Sequence, residues 1–181
     1  ARPIATGVTV DLPGAGGAQP LATVNQLPIG SVINATQGRV AATTTGKGQS
    51  KPVQTAEFYG ARFRVTQRKD RLVLMRLARK TPGCGGKKSA RSLARAAGPV
   101  ARAAGRRRGL WGSGKGRFGT RGGRGAGTVR GTIWYVENRC DGSTFFRVKR
   151  GVVAVDDFGR KGKVDAVLRK GDRYVAAARR G

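Results

Sequence analysis

The stretch from Gly127 to Val155 constrains the fold more than any other part of the chain, because its side chains alternate as in β-strands. Ile133, Tyr135 and Glu137 are expected on one face of a strand, and the residues between them on the other. Asp141-Gly142 supplies a hairpin turn. No apolar run with helical spacing competes with this interpretation, so the stretch is predicted to be a β-meander.

Composition favours one domain with a thin core. The 181 residues include 30 glycines, and aromatic residues make up only 6%, so Val, Leu, Ile and Ala must fill most of the interior. We therefore predict an all-β fold, an antiparallel sandwich or roll of short strands with a long basic Gly/Ala/Arg-rich insertion loop. Residues 1–181 form a single domain in this prediction, residues 1–26 are a strand extension at its start, and residues 87–109 are the insertion.

Further strands are expected on both sides of the insertion. The predicted strands are an edge strand over Ile4 to Leu12, two strands about a turn at Asn34 to Gly38, a strand from Gln54 to Gln67, strand-like segments at Leu110-Trp111 and Gly116 to Arg121, and a last hairpin from Asp165 to Ala176. Leu72 to Leu77 suits either the second strand of a hairpin or a helical turn, since Leu, Met and Arg are good helix formers; we expect the strand.

The charge points to an anionic partner. Lys and Arg number 37 against nine Asp and Glu, a formal charge of +28. Nucleic acid, anionic lipid headgroups and anionic polymers of a cell envelope all qualify. The chain has no apolar run long enough for a membrane helix and opens on no signal segment, so we expect either an exported protein whose signal was removed or a cytosolic one.

The positive charge is concentrated. From Arg71 to Val136 no acidic residue occurs, while 17 of the 37 basic residues do. The densest part, Lys87 to Arg108, has few large apolar residues to offset the entropy of ordering, and suits a solvated loop or a polyanion-binding arm. The candidate polyanion-binding residues are Lys87, Lys88, Arg91, Arg95, Arg102, Arg106, Arg107, Arg108, Arg121 and Arg124.

The sequence offers little for catalysis. It has no histidine, which removes imidazole bases and most transition-metal sites, so we predict no metal and no cofactor. Asp156-Asp157 would face opposite sides of a strand, and a turn explains the pair better than acid-base chemistry. Gly109 to Gly116 has the spacing of a phosphate-binding loop, but it ends in Gly116 instead of Ser or Thr, and arginines precede it where a buried strand is needed. The protein is therefore predicted not to be an enzyme.

One segment supports the competing hypothesis of a cytosolic RNA- or DNA-binding protein. Gly119 to Gly125 resembles the Arg-Gly-Gly boxes of RNA-binding tails, in which arginine contacts phosphates and stacks on bases. The box is single and lies between strand-like stretches, so glycine-rich turns explain it more simply. Cys84 and Cys140 leave the compartment open, because an even count fits one disulfide or two free thiols.

The chain resembles the FecR-type domain, an extracytoplasmic β-domain of iron-citrate signalling proteins and many bacterial surface proteins. The residues that carry the resemblance are Leu27 to Val32, Gly38 to Val40, Val129 to Thr132, Val136, Asp141-Gly142, Thr144, Val148, Gly151, Val153 and Leu168 to Asp172. With the stretch Leu110 to Phe118, the chain is similar to basic actinobacterial surface variants of that family. The resemblance covers most of the segment from Leu27 to Val175 but does not include Lys87 to Arg108.

This resemblance implies a non-catalytic, exported domain in an oxidising compartment, and hence a disulfide between Cys84 and Cys140. We therefore expect a secreted or surface-displayed domain that binds or structures anionic cell-envelope polymers, or that assembles as a surface subunit. In the assembly version, exposed edge strands such as Ile4 to Leu12 would add to a neighbour's sheet. An acidic protein is a further possible partner, and nucleic acid is the alternative.

Overall fold

The computed structural model describes residues 1–3, 7–24, 26–44, 54–78, 84, 109–114, 116, 118–160 and 165–178, with Arg130 described by its backbone only. The strands are β1 (Arg2–Pro3), β2 (Thr9–Asp11), β3 (Ala18–Pro20), β4 (Val32–Asn34), β5 (Arg39–Thr44), β6 (Gln54–Tyr59), β7 (Arg62–Gln67), β8 (Val73–Leu77), β9 (Gly109–Gly114), β10 (Phe118–Arg121), β11 (Gly125–Asn138), β12 (Thr144–Asp157), β13 (Ala166–Leu168) and β14 (Arg173–Ala176). A single 3₁₀ turn, Leu21–Thr23, lies among them. The predicted all-β class is confirmed.

The long β11–β12 hairpin organises the sheet. Each of its strands has 14 residues, and their register shifts between Arg130 and Trp134. Gly131 and Gly151 take left-handed φ angles of 60° and 80° at this irregularity, a conformation that glycine adopts without steric cost. The hairpin therefore bends in the middle and serves two halves of one curled sheet.

We call these halves the first and second leaves. In the first leaf the order is β1, β5, β6, β9, the end of β11, the start of β12, and β14. In the second leaf it is β3, β2, β4, β7, β8, β10, the start of β11, the end of β12, and β13. All pairs are antiparallel except β8 with β10, which are parallel and are joined by a crossover through residues 78–117 that includes β9.

The core lies between the two leaves. Phe58 of the first leaf meets Phe63 and Phe118 of the second, each with ring centroids 5.9 Å apart. Trp134 stands edge-on to Phe58 and donates its indole N–H to the Thr120 hydroxyl across the interior, at 3.1 Å. These residues are at most 1% exposed. Val65 belongs to the same core.

Several local predictions are confirmed. The segment Leu72 to Leu77 contains strand β8, Val73–Leu77, and no helix, and β8 pairs with β7 as the second strand of a hairpin. Asp141-Gly142 forms the β11–β12 turn, in which the Asp141 carboxylate accepts hydrogen bonds from the Ser143 amide and hydroxyl, at 2.8 Å and 2.6 Å. These two bonds hold the pKa of Asp141 below its usual value.

The start of the chain differs from the prediction. Residues 9–11 form β2, which has neighbours on both sides, so this part of the proposed Ile4 to Leu12 edge is an interior strand. Within residues 1–26, Val8, Val10 and Leu21 are buried in the common core. Alternation of side chains identifies a strand but does not reveal how many neighbours it has. In the two leaf orders the end strands are β1 and β14 in the first leaf and β3 and β13 in the second.

Three predicted connections also differ. The strand from Gln54 to Gln67 is broken at Gly60, whose φ is +91°, so β6 and β7 enter different leaves. β4 and β5 flank the expected turn but pair with other strands instead of each other. β13 and β14 likewise each pair with β12 and do not form the expected mutual hairpin. In each case a short turn joins strands that are neighbours in sequence but not in the sheet.

Candidate polyanion interface

Most of the predicted polyanion-binding residues cannot be placed. Lys87, Lys88, Arg91, Arg95, Arg102, Arg106, Arg107 and Arg108 lie outside the described residues. The predicted insertion boundary at 109 is one residue too late, since Gly109 is the first residue of β9.

Arg121 and Arg124 are described, and both have local partners. The Arg121 guanidinium lies over the Phe158 ring, 4.5 Å from its centroid. Arg124 donates its Nε–H to the Ala177 carbonyl at 3.0 Å, and its amide donates to the Thr144 hydroxyl at 2.9 Å. Both arginines lie where the chain turns from β10 into β11, and each contacts later parts of the chain.

The Arg-Gly-Gly segment is a structural turn. Gly122 leaves no room for a side chain, since a Cβ there would lie 2.3 Å from the Thr144 methyl group. The buried Asn138 carboxamide accepts a hydrogen bond from the Gly123 amide at 2.8 Å and donates one to the Ala78 carbonyl at 2.9 Å. Gly122 of this segment therefore follows from close packing in a β-turn.

The outer face of the first leaf carries a row of aromatic and basic side chains that sequence reasoning missed. Its members are register partners on six neighbouring strands, namely Arg39, Tyr59, Trp111, Tyr135, Arg147 and Arg173. The three aromatic residues and Arg39 are half-buried, and Arg147 and Arg173 are exposed. Phe145, two residues before Arg147 on β12, adds a fourth ring beside Tyr135. We call Tyr59, Trp111, Tyr135 and Phe145 the aromatic strip.

The position of this row follows from strand alternation. One residue away along each strand, Val40, Phe58, Trp134 and Val148 are buried on the inner face, with Gly112 between the two aromatic residues. Because successive side chains along a strand point to opposite faces, the sequence neighbours of these core residues must point outward. The same register that builds the core therefore aligns the aromatic strip on the surface.

The rings of the strip form a continuous surface. Tyr59 and Trp111 are nearly parallel, with centroids 6.2 Å apart; Trp111 and Tyr135 are 5.0 Å apart, and Tyr135 and Phe145 are 6.3 Å apart. A Cβ on Gly109 would lie 2.3 Å from Cζ of Tyr135, so this glycine lets the Tyr135 ring lie against the backbone of β9. The strip lines a groove of about 430 Å³ with Gly60, Gly109 and Arg147.

Both ends of the strip carry arginine. Arg39 lies over the Tyr59 ring, 4.2 Å from its centroid, and also forms a 2.8 Å ion pair with Glu57. At the other end Arg139 lies over the Phe145 ring at 4.3 Å. Such contacts keep a guanidinium close to an aromatic face while leaving its charge available to an anion.

Two carboxylates lie close to the same row. Glu57 is adjacent in sequence to Phe58 and points outward with its ion-pair partner Arg39. The Tyr135 hydroxyl donates to Glu137 at 3.3 Å. Burial, followed by the charge of Glu137, raises the pKa of Tyr135 well above its usual value. Tyr135 therefore remains a neutral hydrogen-bond donor throughout the physiological range.

The disulfide lies near the Phe145 end of the strip. Cys84 and Cys140 are bonded, with their Cα atoms 5.1 Å apart. Cys140 is in the β11–β12 turn, and Gly109, the first residue after the insertion, pairs with Glu137 near that turn. The two described residues that bracket the basic insertion are thus both fixed near the Phe145 end of the strip.

The features considered for catalysis have structural explanations. Asp157 is buried, where its carboxylate accepts hydrogen bonds from the Gly159 amide at 2.8 Å and the Tyr174 hydroxyl at 2.9 Å. Asp156 is half-buried on the opposite face, and burial together with the nearby Asp165 raises its pKa. The stretch from Gly109 to Gly114 is strand β9, paired on both sides, and not a phosphate-binding loop.

Across the described ranges, His, Cys, Asp and Glu side chains do not gather in groups of three that would suit a metal ion. None of the helical structure found in those ranges has the length and apolar character of a membrane span.

The missed residues gave only a partial signal in the sequence. The shared facing of Tyr135 and Glu137 was predicted from alternation and agrees with their burial. Their proximity to Tyr59 and Trp111 could not be predicted, because it depends on the order of strands far apart in the chain.

Comparison of the chain with models of known protein families, with curated proteins and with solved structures finds no match.

Proposed function

We propose that the chain is a non-enzymatic, exported domain of the cell surface that binds an anionic polymer of the cell envelope along the outer face of its first leaf. One observation carries the proposal, namely the row that runs from Arg39 through Tyr59, Trp111 and Tyr135 to Arg147 and Arg173. An extended row of rings and guanidinium groups suits an extended ligand better than a compact one.

The charge distribution supports an anion as the ligand. Arg147 and Arg173 are register partners on β12 and β14, and both are exposed. Like charges placed directly opposite each other on a sheet destabilise it, so a bound anion would relieve this repulsion. With a net charge of +28, the whole chain also attracts polyanions at long range.

The disulfide supports the exported location. Disulfide bonds persist mainly in oxidising compartments, and Cys84 and Cys140 form one. The resemblance to FecR-type domains gives the same expectation, since that family is extracytoplasmic and non-catalytic. Free thiols in protein isolated from its native source, measured by intact mass without reductant, would contradict export.

Binding is tested with defined polymers by isothermal titration calorimetry at low salt. Polygalacturonate, polyglycerol phosphate and neutral dextran are compared for the unmodified domain and for Arg147→Gln/Arg173→Gln. The matched control is Lys69→Gln/Arg160→Gln, which removes the same charge from exposed turn positions outside the row. We expect at least one anionic polymer to bind, dextran not to bind, and the row variant to lose much more affinity than the control.

Two results would contradict the proposal. In the first, neither anionic polymer binds. In the second, both double variants lose affinity equally, which would mean that net charge alone drives association and that the row has no special part in it.

A further inference from the structure

We infer that the ligand of the aromatic strip is a glycan, an acidic polysaccharide whose pyranose rings lie on Tyr59, Trp111 and Tyr135 while Arg147 pairs with its carboxylates. This inference rests on the proposed function and specifies the chemistry of its ligand. It is drawn from the shape of the strip, from the carboxylates of Glu57 and Glu137 beside the strip, and from the positions of the neighbouring arginines.

The shape of the strip suits a chain of saturated rings. Its aromatic side chains are in mutual contact, with centroids 5.0 to 6.3 Å apart, and Gly109 lets the Tyr135 ring lie along the backbone. The result is a half-buried row of neighbouring rings. The C–H face of a pyranose packs well on such a surface, since aromatic side chains offer a large apolar area with a polar edge.

The two carboxylates beside the strip favour a sugar over a phosphodiester as its ligand. Glu57 and Glu137 lie beside the rings, and Glu137 already accepts from the Tyr135 hydroxyl. Sugar hydroxyls would donate to such carboxylates, whereas the closely spaced phosphates of a nucleic acid would be repelled by them. Two acids within a chain that has only nine of them are a notable concentration for a face that would bind phosphate.

The cations mark where the charge of the glycan would lie. Arg39 is engaged by Glu57, while Arg147 lines the groove beside Tyr135 and is exposed. A planar guanidinium matches the two oxygens of a carboxylate in a bidentate pair. One carboxylate-bearing sugar held at Arg147, with its neighbours on the rings, satisfies both features of the groove.

The experiment distinguishes the contribution of the aromatic rings to binding affinity from that of charge. Dissociation constants are measured for polygalacturonate, for polyphosphate of equal charge concentration, and for an oligo(dT) strand, with the unmodified domain and with Trp111→Ala. Phe158→Ala is the matched control, an aromatic residue in the turn after β12 and outside the strip. We expect polygalacturonate to bind most tightly and to lose about tenfold in affinity with Trp111→Ala, and polyphosphate binding to remain unchanged in that variant.

Trp111→Phe provides a second readout, tryptophan emission, in a variant that is expected to keep the fold. The chain has two tryptophans, Trp111 in the strip and Trp134 in the core. Polygalacturonate should change the tryptophan emission of the unmodified domain, and this change should disappear in Trp111→Phe, whose circular dichroism should match that of the unmodified domain.

The outcomes distinguish the two levels of inference. If polyphosphate binds as tightly as polygalacturonate and Trp111→Ala affects neither, the glycan inference is wrong while the polyanion proposal stands. If oligo(dT) binds most tightly and depends on Trp111, the strip is a nucleic-acid platform and the glycan inference is again wrong. If no polymer binds, the proposed function fails and the glycan inference fails with it.

Discussion

Two buried threonine hydroxyls differ in a single respect, which allows a paired test of the core. Thr120 is fully buried, and its oxygen accepts the indole N–H of Trp134 at 3.1 Å. Thr132 is 2% exposed, and among the described residues its hydroxyl has no hydrogen-bond partner. Replacing each by valine makes the same chemical change in the two environments.

The expected effects have opposite signs. Thr120→Val leaves the Trp134 N–H buried without an acceptor, which costs about 1–3 kcal/mol of the free energy of unfolding. Thr132→Val removes a hydroxyl that is already buried without a hydrogen bond, and should stabilise the fold by about 1 kcal/mol. The two variants should therefore differ by roughly 2–4 kcal/mol, the sum of these two terms.

Urea unfolding followed by far-UV circular dichroism measures this difference, provided that the slope with denaturant is the same in both variants. Thr120→Ser is the control, since it keeps the acceptor oxygen and should retain most of the stability that Thr120→Val loses. The reasoning is refuted if Thr120→Val is as stable as Thr132→Val. Such a result would mean that the hydrogen bond across the two leaves does not contribute to stability.

Three further predictions follow from other parts of the structure. Gly112→Ala should destabilise the fold by about 1–3 kcal/mol, because a Cβ there would lie 2.2 Å from Cζ2 of Trp134; a chemical-denaturation midpoint equal to that of the unmodified domain would contradict this packing. Replacing both cysteines of the disulfide, whose partners are 56 residues apart, by serine should cost up to about 4 kcal/mol through the entropy of the unfolded chain; an unchanged melting temperature without reductant would show that the bond constrains little. Tyr135 has a pKa raised by burial and by Glu137, so the folded state holds its proton more tightly than the unfolded chain, and its contribution to stability is present below about pH 10 and is lost as the pH rises further. Tyr135→Phe should therefore show a smaller drop in urea midpoint between about pH 9 and about pH 11 than the unmodified domain, and an equal drop would refute this assignment.

Much of the fold could be predicted because it depends on local pattern. Alternation placed Trp134 and Val136 on the same face, which is the buried one, and the glycine after Asp141 located the central hairpin turn. The absence of helical periodicity was enough to predict the all-β class. These features depend on residues within a few positions of one another, so the sequence contains the information directly.

The candidate site could not be predicted in the same way. Its basic residues were sought where the charge is densest in sequence, yet the row on the first leaf draws single residues from β5, β6, β9, β11, β12 and β14. None of these strands has an unusual charge by itself. Sequence density reports on local composition, whereas a site on a sheet is built perpendicular to the strands.

The sequence alone determined that the chain is a basic all-β protein with a central hairpin turn at Asp141-Gly142, since strand alternation and turn glycines act locally. Only the tertiary structure decided the rest. It decided that β2 is an interior strand, that Gly60 sends β6 and β7 to different leaves, and that Tyr59, Trp111 and Tyr135 meet on one face. The physical reason is that hydrogen-bonded register between distant strands is chosen by packing of the whole core, which no single segment of the chain encodes.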